Sequence, residues 1–411
     1  MPSWGRVSAT FLVALVCLGF RPSAQIPVSS GMERLLSAPY VSLVQGRKLG
    51  VLAHHASRDR FGNHLVDLLS RQDGIQLKMI FAPEHGYRSV DDELLPDSID
   101  PVTGLPVYSL YGPRKAPTPE MLAEIDAVVI DLQDVGVRFY TYAATVVNVL
   151  QACKAAGKPV ILLDRPNPLG GVIVEGAVLD SSLVNGGLTT LAAIPTRHGM
   201  TLGELAIFYN ETLDVHADLT VVPMSGWKRS MMWNDTGLPW YPSSPALVTE
   251  DQVQLYGSFG GLEALNLAVG RGIKNDLAFH TYGAPWITPA NAQDLTAALQ
   301  RLSLPGLTFT AVQWTPERGV FQGELCQGFR IDLKETDACH VIEGFRSLIE
   351  TLETMKRSLG PGLDFSRATV SLGAPWLRDG IESGVPAGEL ITRAQQGSGS
   401  FLKARANALL Y

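Results

Sequence analysis

Cysteine is scarce in this 411-residue sequence, with four in all, and no apolar run reaches the about 20 residues that a helix needs to cross a bilayer. A small disulfide scaffold and a permanent membrane anchor are both disfavoured. Basic charge is short as well. Thirty-three Lys and Arg face 40 Asp and Glu, for a net charge of −7, and no basic run tracks a phosphate backbone, so nucleic acid is not an expected partner. Several catalytic signatures are missing too: a G-x-S-x-G elbow, a G-x-x-x-x-G-K-S/T loop, a strand-borne G-x-G-x-x-G, an H-E-x-x-H helix, and C-x-x-C or histidine-rich zinc sets. Neither a cofactor nor a metal is expected.

What is present is the composition of a folded globular protein, and the length leaves room for about two domains of roughly 150 residues each. The N-terminus has the anatomy of a secretory leader. Arg6 precedes the apolar stretch Ala9–Phe20, and the small-residue tail Arg21-Pro22-Ser23-Ala24 points to cleavage after Ala24, leaving an exported protein with no stable membrane insertion. Leu15 and Val16 before Cys17 are too large for a lipoprotein signal. Removal of residues 1–24 leaves Cys153, Cys326 and Cys339; Cys326 and Cys339 are the candidates for a disulfide, and Cys153 reads as a buried thiol on a helix.

From about residue 47, apolar runs alternate with amphipathic segments, which predicts an α/β domain with a mostly parallel sheet and flanking helices. Lys48–His54, Leu77–Ala82, Ala127–Leu132, Pro159–Asp164 and Leu219–Met224 read as strands. Tyr142–Ala156 reads as a helix closed by Gly157, and Met200–Leu213 as another, with Thr201 and Glu204 at capping-box spacing. After Asn291 the order is helix, two strands and a long helix, about His340–Leu359, which suggests a smaller α+β domain. The expected division is a leader over 1–24, a catalytic domain over 25–288 and an auxiliary domain over 289–411.

In an open parallel sheet, ligands bind beyond the carboxyl ends of the strands. Four polar clusters sit there: Glu84-His85 with Arg88; Asp131 with Asp134, Arg138, Tyr140 and Tyr142; Asp164-Arg165 with Asn167; and Arg197-His198. They should converge on one cleft. Glu84 is the strongest candidate, because a buried strand and a proline-fixed turn place an acid and an imidazole where the fold gains nothing from them. Asp164-Arg165 also reads as a local ion pair, and Asp131 as a satisfied buried carboxylate. With other chemistries lacking their motifs, carboxylate acid–base catalysis remains. Trp227, Trp233, Trp240 and Tyr241 lie in a loop broken by Gly and Pro, and read either as sugar-stacking walls or as a mini-core under the loop. Lys228, Arg229 and Arg271 are candidate partners for a substrate carboxylate.

The stretches FAPEHGYR (81–88), GLPVYSLYG (104–112), DLQDVGVRFYTY (131–142), DRPNPLGG (164–171), EGAVL (175–179), RHGMTLGEL (197–205), VPMSGWKRSM (222–231), TGLPWYPSSP (236–245) and GAPWI (283–287) carry a resemblance. The sequence resembles the NamZ-type exo-β-N-acetylmuramidases, glycoside hydrolases of peptidoglycan recycling. That resemblance implies a Rossmann-like catalytic domain with a smaller C-terminal domain, and release of N-acetylmuramic acid from the non-reducing end of peptidoglycan fragments. It places the family's catalytic glutamate on Glu84. The residues themselves offer Glu175, Asp131 and Asp164 as candidates for a second carboxylate. His85, Arg88, Asp134, Arg138, Tyr140, Tyr142, Arg165, Asn167, Arg197, His198, Trp227 and Arg271 are the candidate binders. The chain departs from the family pattern at His54-His55-Ala56-Ser57, where Asn is usual, and at Ala268-Val269-Gly270-Arg271-Gly272, which lacks the usual acidic residue. A non-catalytic glycan-binding protein and a metal-dependent amidase or esterase are the alternatives.

Overall fold

The structure is a computed structural model and describes residues 27–88, 95–270, 278–334 and 343–411. The leader, Arg271 and Cys339 lie outside the described residues, as does the expected Cys326–Cys339 pair. Cys153 and Cys326 are buried free thiols.

Among the described residues, ten strands form two sheets. β1 (Lys48–Ala53), β2 (Gln76–Ala82), β3 (Ser98–Ile99), β4 (Pro106–Ser109), β5 (Ala127–Asp131), β6 (Val160–Leu163) and β7 (Leu219–Val222) make the larger one, in the order β3-β4-β2-β1-β5-β6-β7. All its pairings are parallel except that of the short edge strand β3. Its central strands are buried on both faces, which is why they read as unbroken apolar runs. Alternate residues split cleanly: Leu52, Phe81, Val128 and Ile130 enter one core, while Val51, Ile80, Ala127 and Val129 enter the other. Gly50 lies on β1 because a Cβ there would come within 2.8 Å of the Phe81 ring. The chain leaves β1 for β2 on one side and returns with β5 on the other, so the crevice of a switched α/β sheet opens beside the end of β1.

The helices begin and end where their caps dictate. Tyr142–Ala156 stops at Gly157, whose φ of 63° suits a left-handed C-cap. Leu202–Thr212 starts with the expected capping box between Thr201 and Glu204.

β8 (Thr281–Ala284), β9 (Leu307–Trp314) and β10 (Cys326–Leu333) form the smaller antiparallel sheet, ordered β8-β10-β9. β8 precedes residue 288, so the second sheet recruits its edge strand from the catalytic side of the expected division. The two units share one apolar core that runs from Phe81 and Val128 through Phe259 to Phe329, Leu348 and Phe401. The C-terminal segment then folds back onto the first domain. Arg405 donates to the carbonyls of His198 and Gly199, and the Leu410 amide donates to Glu204.

Tyr411 completes a buried polar knot. Its hydroxyl donates to Asp164 at 2.7 Å and accepts from the Met224 amide at 2.8 Å. Burial is the main reason that the Asp164 carboxyl is pushed up to about 6, above the roughly 3.9 of an unfolded chain. Ionising this group therefore costs stability as pH rises toward 6, and above that its donors are needed most. Replacing Tyr411 with Phe is expected to cost about 1–3 kcal/mol. Melting curves should show a larger loss near pH 8 than near pH 5, where the carboxyl is protonated; an equal loss at both would mean that Asp164 is not the group affected.

Candidate active site

A cavity of about 450 Å³ opens beyond the strand ends, within the range of small-ligand sites. It is lined by Glu84 from the end of β2, Tyr111 from the end of β4, Thr141 and Tyr140 from the approach to the Tyr142–Ala156 helix, and Ser244, Tyr256, Phe279 and Arg318 from later segments. Glu84 is half-buried. The turn that presents it is bent by two successive left-handed residues, His85 at φ 71° and Gly86 at φ 86°, and closed by the Gly86 amide on the Pro83 carbonyl. Such a conformation is costly for a histidine, and strained turns of this kind gather at functional sites.

Two hydroxyls hold the Glu84 carboxyl. Thr141 Oγ1 donates to Oε2 at 2.6 Å, and the Tyr111 hydroxyl donates to the same side chain. Burial first, and the Glu84 bond second, push the Tyr111 hydroxyl up to about 12, so it remains a donor at neutral pH. Thr141 is the N-cap of its helix yet makes no capping bond, because its hydroxyl turns to Glu84 instead. Behind Glu84, Tyr142 donates toward the Glu84 carbonyl at 3.2 Å and the Ser243 carbonyl at 3.0 Å, and Tyr140 donates to the Ser243 carbonyl at 3.1 Å. His54 backs Tyr142: the Gln133 amide donates to its Nε2 at 2.9 Å, which leaves the proton on Nδ1, 3.3 Å from the Tyr142 hydroxyl. Burial pulls the His54 imidazole well below its ordinary value, so it is neutral.

Apart from Tyr140, the residues of the other strand-end clusters do not line the cavity. Asp131 is fully buried in a two-pronged pair with Arg165, at 2.5 and 2.7 Å, away from the cavity lining. Asp164 is sealed by Thr201, the Gly203 amide and Tyr411, and Gly203 is glycine there because a Cβ would lie 2.7 Å from the Asp164 carboxyl carbon. Glu175 is likewise engaged within the fold. It pairs with Arg197 at 3.2 Å and accepts from the amides of Gly344 and Phe345, so it caps the Gly344–Leu359 helix of the second domain.

The proposed binders are displaced for similar reasons. Arg88 is held between Asp67 and Asp100, and Arg138 donates to the carbonyls of Thr189, Val370 and Ser371. Asn167 shapes a turn through the Leu169 amide and the Met200 carbonyl. Asp134, pushed up to about 7 by burial, lies 3.8 Å from His198, which burial lowers to about 3. Trp227 is no sugar wall, since it packs among Val28, Met224, Met231 and Tyr411. Trp233 and Trp240 pack edge to face, 4.9 Å apart, as the mini-core under their loop. Arg229 is tied to Glu204 at 2.7 Å.

Of the sequence candidates, Glu84, His85 and Tyr140 line the cavity, with Tyr142 directly behind. Tyr111, Thr141, Tyr256, Phe279 and Arg318 were not singled out by sequence reasoning. Tyr111 and Thr141 both fall inside the stretches that carry the family resemblance, which is the one signal that pointed their way. The aromatic walls are therefore Phe139, Tyr256 and Phe279, packed with ring centres 5.1 and 4.6 Å apart. Among the described residues, Glu84 is the one carboxylate in the lining, and no three His, Cys, Asp or Glu side chains are grouped to hold a metal ion. No described helix is long and apolar enough to cross a membrane.

Known proteins resemble this chain in sequence and in fold. Residues 49–251 match the family described as exo-beta-N-acetylmuramidase NamZ, N-terminal, and residues 254–411 match its C-terminal counterpart. A peptidoglycan beta-N-acetylmuramidase NamZ of Bacillus subtilis is 36% identical over 387 residues, which cover 93% of this chain and 91% of that one. Crystal structures of two DUF1343 family proteins of Bacteroides fragilis have TM-scores of 0.82 and 0.75 at 28% and 27% identity, covering 94% and 93% of this chain and 99% of each of theirs. An α/β fold with a carboxylate-bearing, aromatic-walled cleft and these relatives defines a glycoside hydrolase. The chain belongs to the exo-β-N-acetylmuramidase NamZ family.

The hydroxyl of Thr141 should matter through Glu84 alone. Thr141→Val is expected to lower kcat about tenfold with little change in KM, since one charged hydrogen bond is worth about 1.5–3 kcal/mol. Thr141→Ser, which keeps the hydroxyl, should recover most of the rate, and steady-state kinetics on an aryl glycoside would reveal both.

Proposed function

We propose that this protein is an exported exo-acting hydrolase that releases N-acetylmuramic acid from the non-reducing end of peptidoglycan fragments, with Glu84 as general acid. The observation that carries the reading is the placement of Glu84, a carboxylate held by two hydroxyls at the edge of a cavity walled by aromatic rings. Rings of this kind stack on the apolar faces of a sugar. Glu84 gives its proton to the bridging oxygen as the bond from that oxygen to the anomeric carbon breaks; water adds at the anomeric carbon, and the proton it sheds returns to the Glu84 carboxylate. The Bacillus subtilis relative, a peptidoglycan beta-N-acetylmuramidase, supports the substrate class. Export rests on the leader-like residues 1–24.

Purified protein is expected to release the chromophore from an aryl β-N-acetylmuramide, with or without chelator. Glu84→Gln should reduce that rate by about 10²–10⁴-fold while the melting temperature stays within a few degrees. A variant that keeps the wild-type rate removes Glu84 from the mechanism. A protein that binds but never cleaves is instead a glycan-binding module, and a chelator-sensitive release of acyl groups would mark an amidase or esterase.

A further inference from the structure

The cleft holds one cation that the strand-end clusters do not supply. Arg318 comes from the segment between β9 and β10, the hairpin of the smaller sheet, and it lines the same cavity as Glu84. Its loop is held in place. The Gly323 amide bonds the Pro316 carbonyl at 2.8 Å, the Glu324 amide bonds the Phe321 carbonyl at 3.0 Å, and Phe321 packs on the small core of Ala268, Trp314 and Cys326. Gly319 and Gly323, at φ 79° and 80°, give the loop the left-handed bends that keep Arg318 at the cavity rim.

Arg229, considered from sequence as a carboxylate partner, is paired with Glu204, and the candidate binders Arg165, Arg197 and Arg88 are paired inside the protein as well, with Asp131, with Glu175, and with Asp67 and Asp100. Arg318 differs. It is exposed, it is the one lysine or arginine among the described residues of the lining, and none of the ion pairs of the described residues engages it. The carboxylate across the cavity, Glu84, already has its hydroxyl donors.

We infer that Arg318 forms an anion subsite that receives the carboxylate of the lactyl ether on the muramic acid ring, and so selects this sugar over its uncharged N-acetylglucosamine neighbour. The inference rests on the substrate reading above and deepens it. A guanidinium presents paired N–H donors in a plane that fits the two oxygens of a carboxylate, whereas a sugar hydroxyl offers no such match. A rim arginine costs little to keep charged in the empty protein, so its interaction falls on the anionic ligand.

The test uses the full chain and three chromogenic substrates: an aryl β-N-acetylmuramide, the methyl ester of its lactyl group, and the matching β-N-acetylglucosaminide. In the wild type, kcat/KM should favour the free acid over the ester and over the glucosaminide. Arg318→Ala should reduce the acid-to-ester preference by roughly tenfold or more, chiefly through KM, and Arg318→Lys should restore part of it. Raised salt should weaken the wild-type preference and leave the Ala variant's ratio flat. An active wild type whose preference survives Arg318→Ala overturns the subsite alone. A wild type that cleaves none of the three overturns the substrate reading, and the subsite with it.

Discussion

The carboxyl ends of β5 and β6, with the segment that carries Arg197 and His198, bring Asp131, Asp134, Asp164, Arg165, Arg197 and His198 into a volume where water is excluded. Removing a charge from water without a partner costs several kcal/mol, so each group there must be matched or made neutral. Asp131 takes Arg165, Asp164 takes Thr201 and Tyr411, Glu175 takes Arg197 together with a helix end, and His198 and His54 stay uncharged. Glu84 is the carboxyl that this matching leaves at the surface of a cavity. The buried network fixes the floor, and the floor fixes where Glu84, Thr141 and Tyr111 meet.

The smaller domain takes part in this arrangement. Glu175 of the first domain caps the Gly344–Leu359 helix, Arg138 reaches carbonyls near residue 370, and the C-terminal segment returns to Glu204 and Asp164. The hairpin of the second sheet then supplies Arg318 to the cleft. Each domain thus contributes both to the scaffold and to the lining.

Much of the fold was legible because its signals are local. Strands buried on both faces leave continuous apolar runs, and Thr201 with Glu204, or Gly157, mark helix ends within a few residues of themselves. β4 and β8 were not legible: each is a four-residue strand whose place is set by its partner, not by its own pattern. The site divided along the same line. Glu84 stood out because strand, proline and acid are adjacent in sequence. Asp131 left two readings open because its partner Arg165 is 34 residues away, and the contacts of Glu175 were hidden because the amides it accepts from lie about 170 residues on. The roles of Tyr111 and Thr141 depend on which side chain their hydroxyls meet, and nothing in composition or spacing records that.

The apolar core that runs without a break from Phe81 to Phe401 passes under both sheets. A seam filled in this way cannot swing like the loose joint between two independent lobes, because opening it would expose the packed rings of Phe259, Tyr282 and Phe329 to water. Tyr256 and Phe279 of the cleft wall belong to that same core, so parting the two sheets would strip the wall of its packing at the same apolar cost.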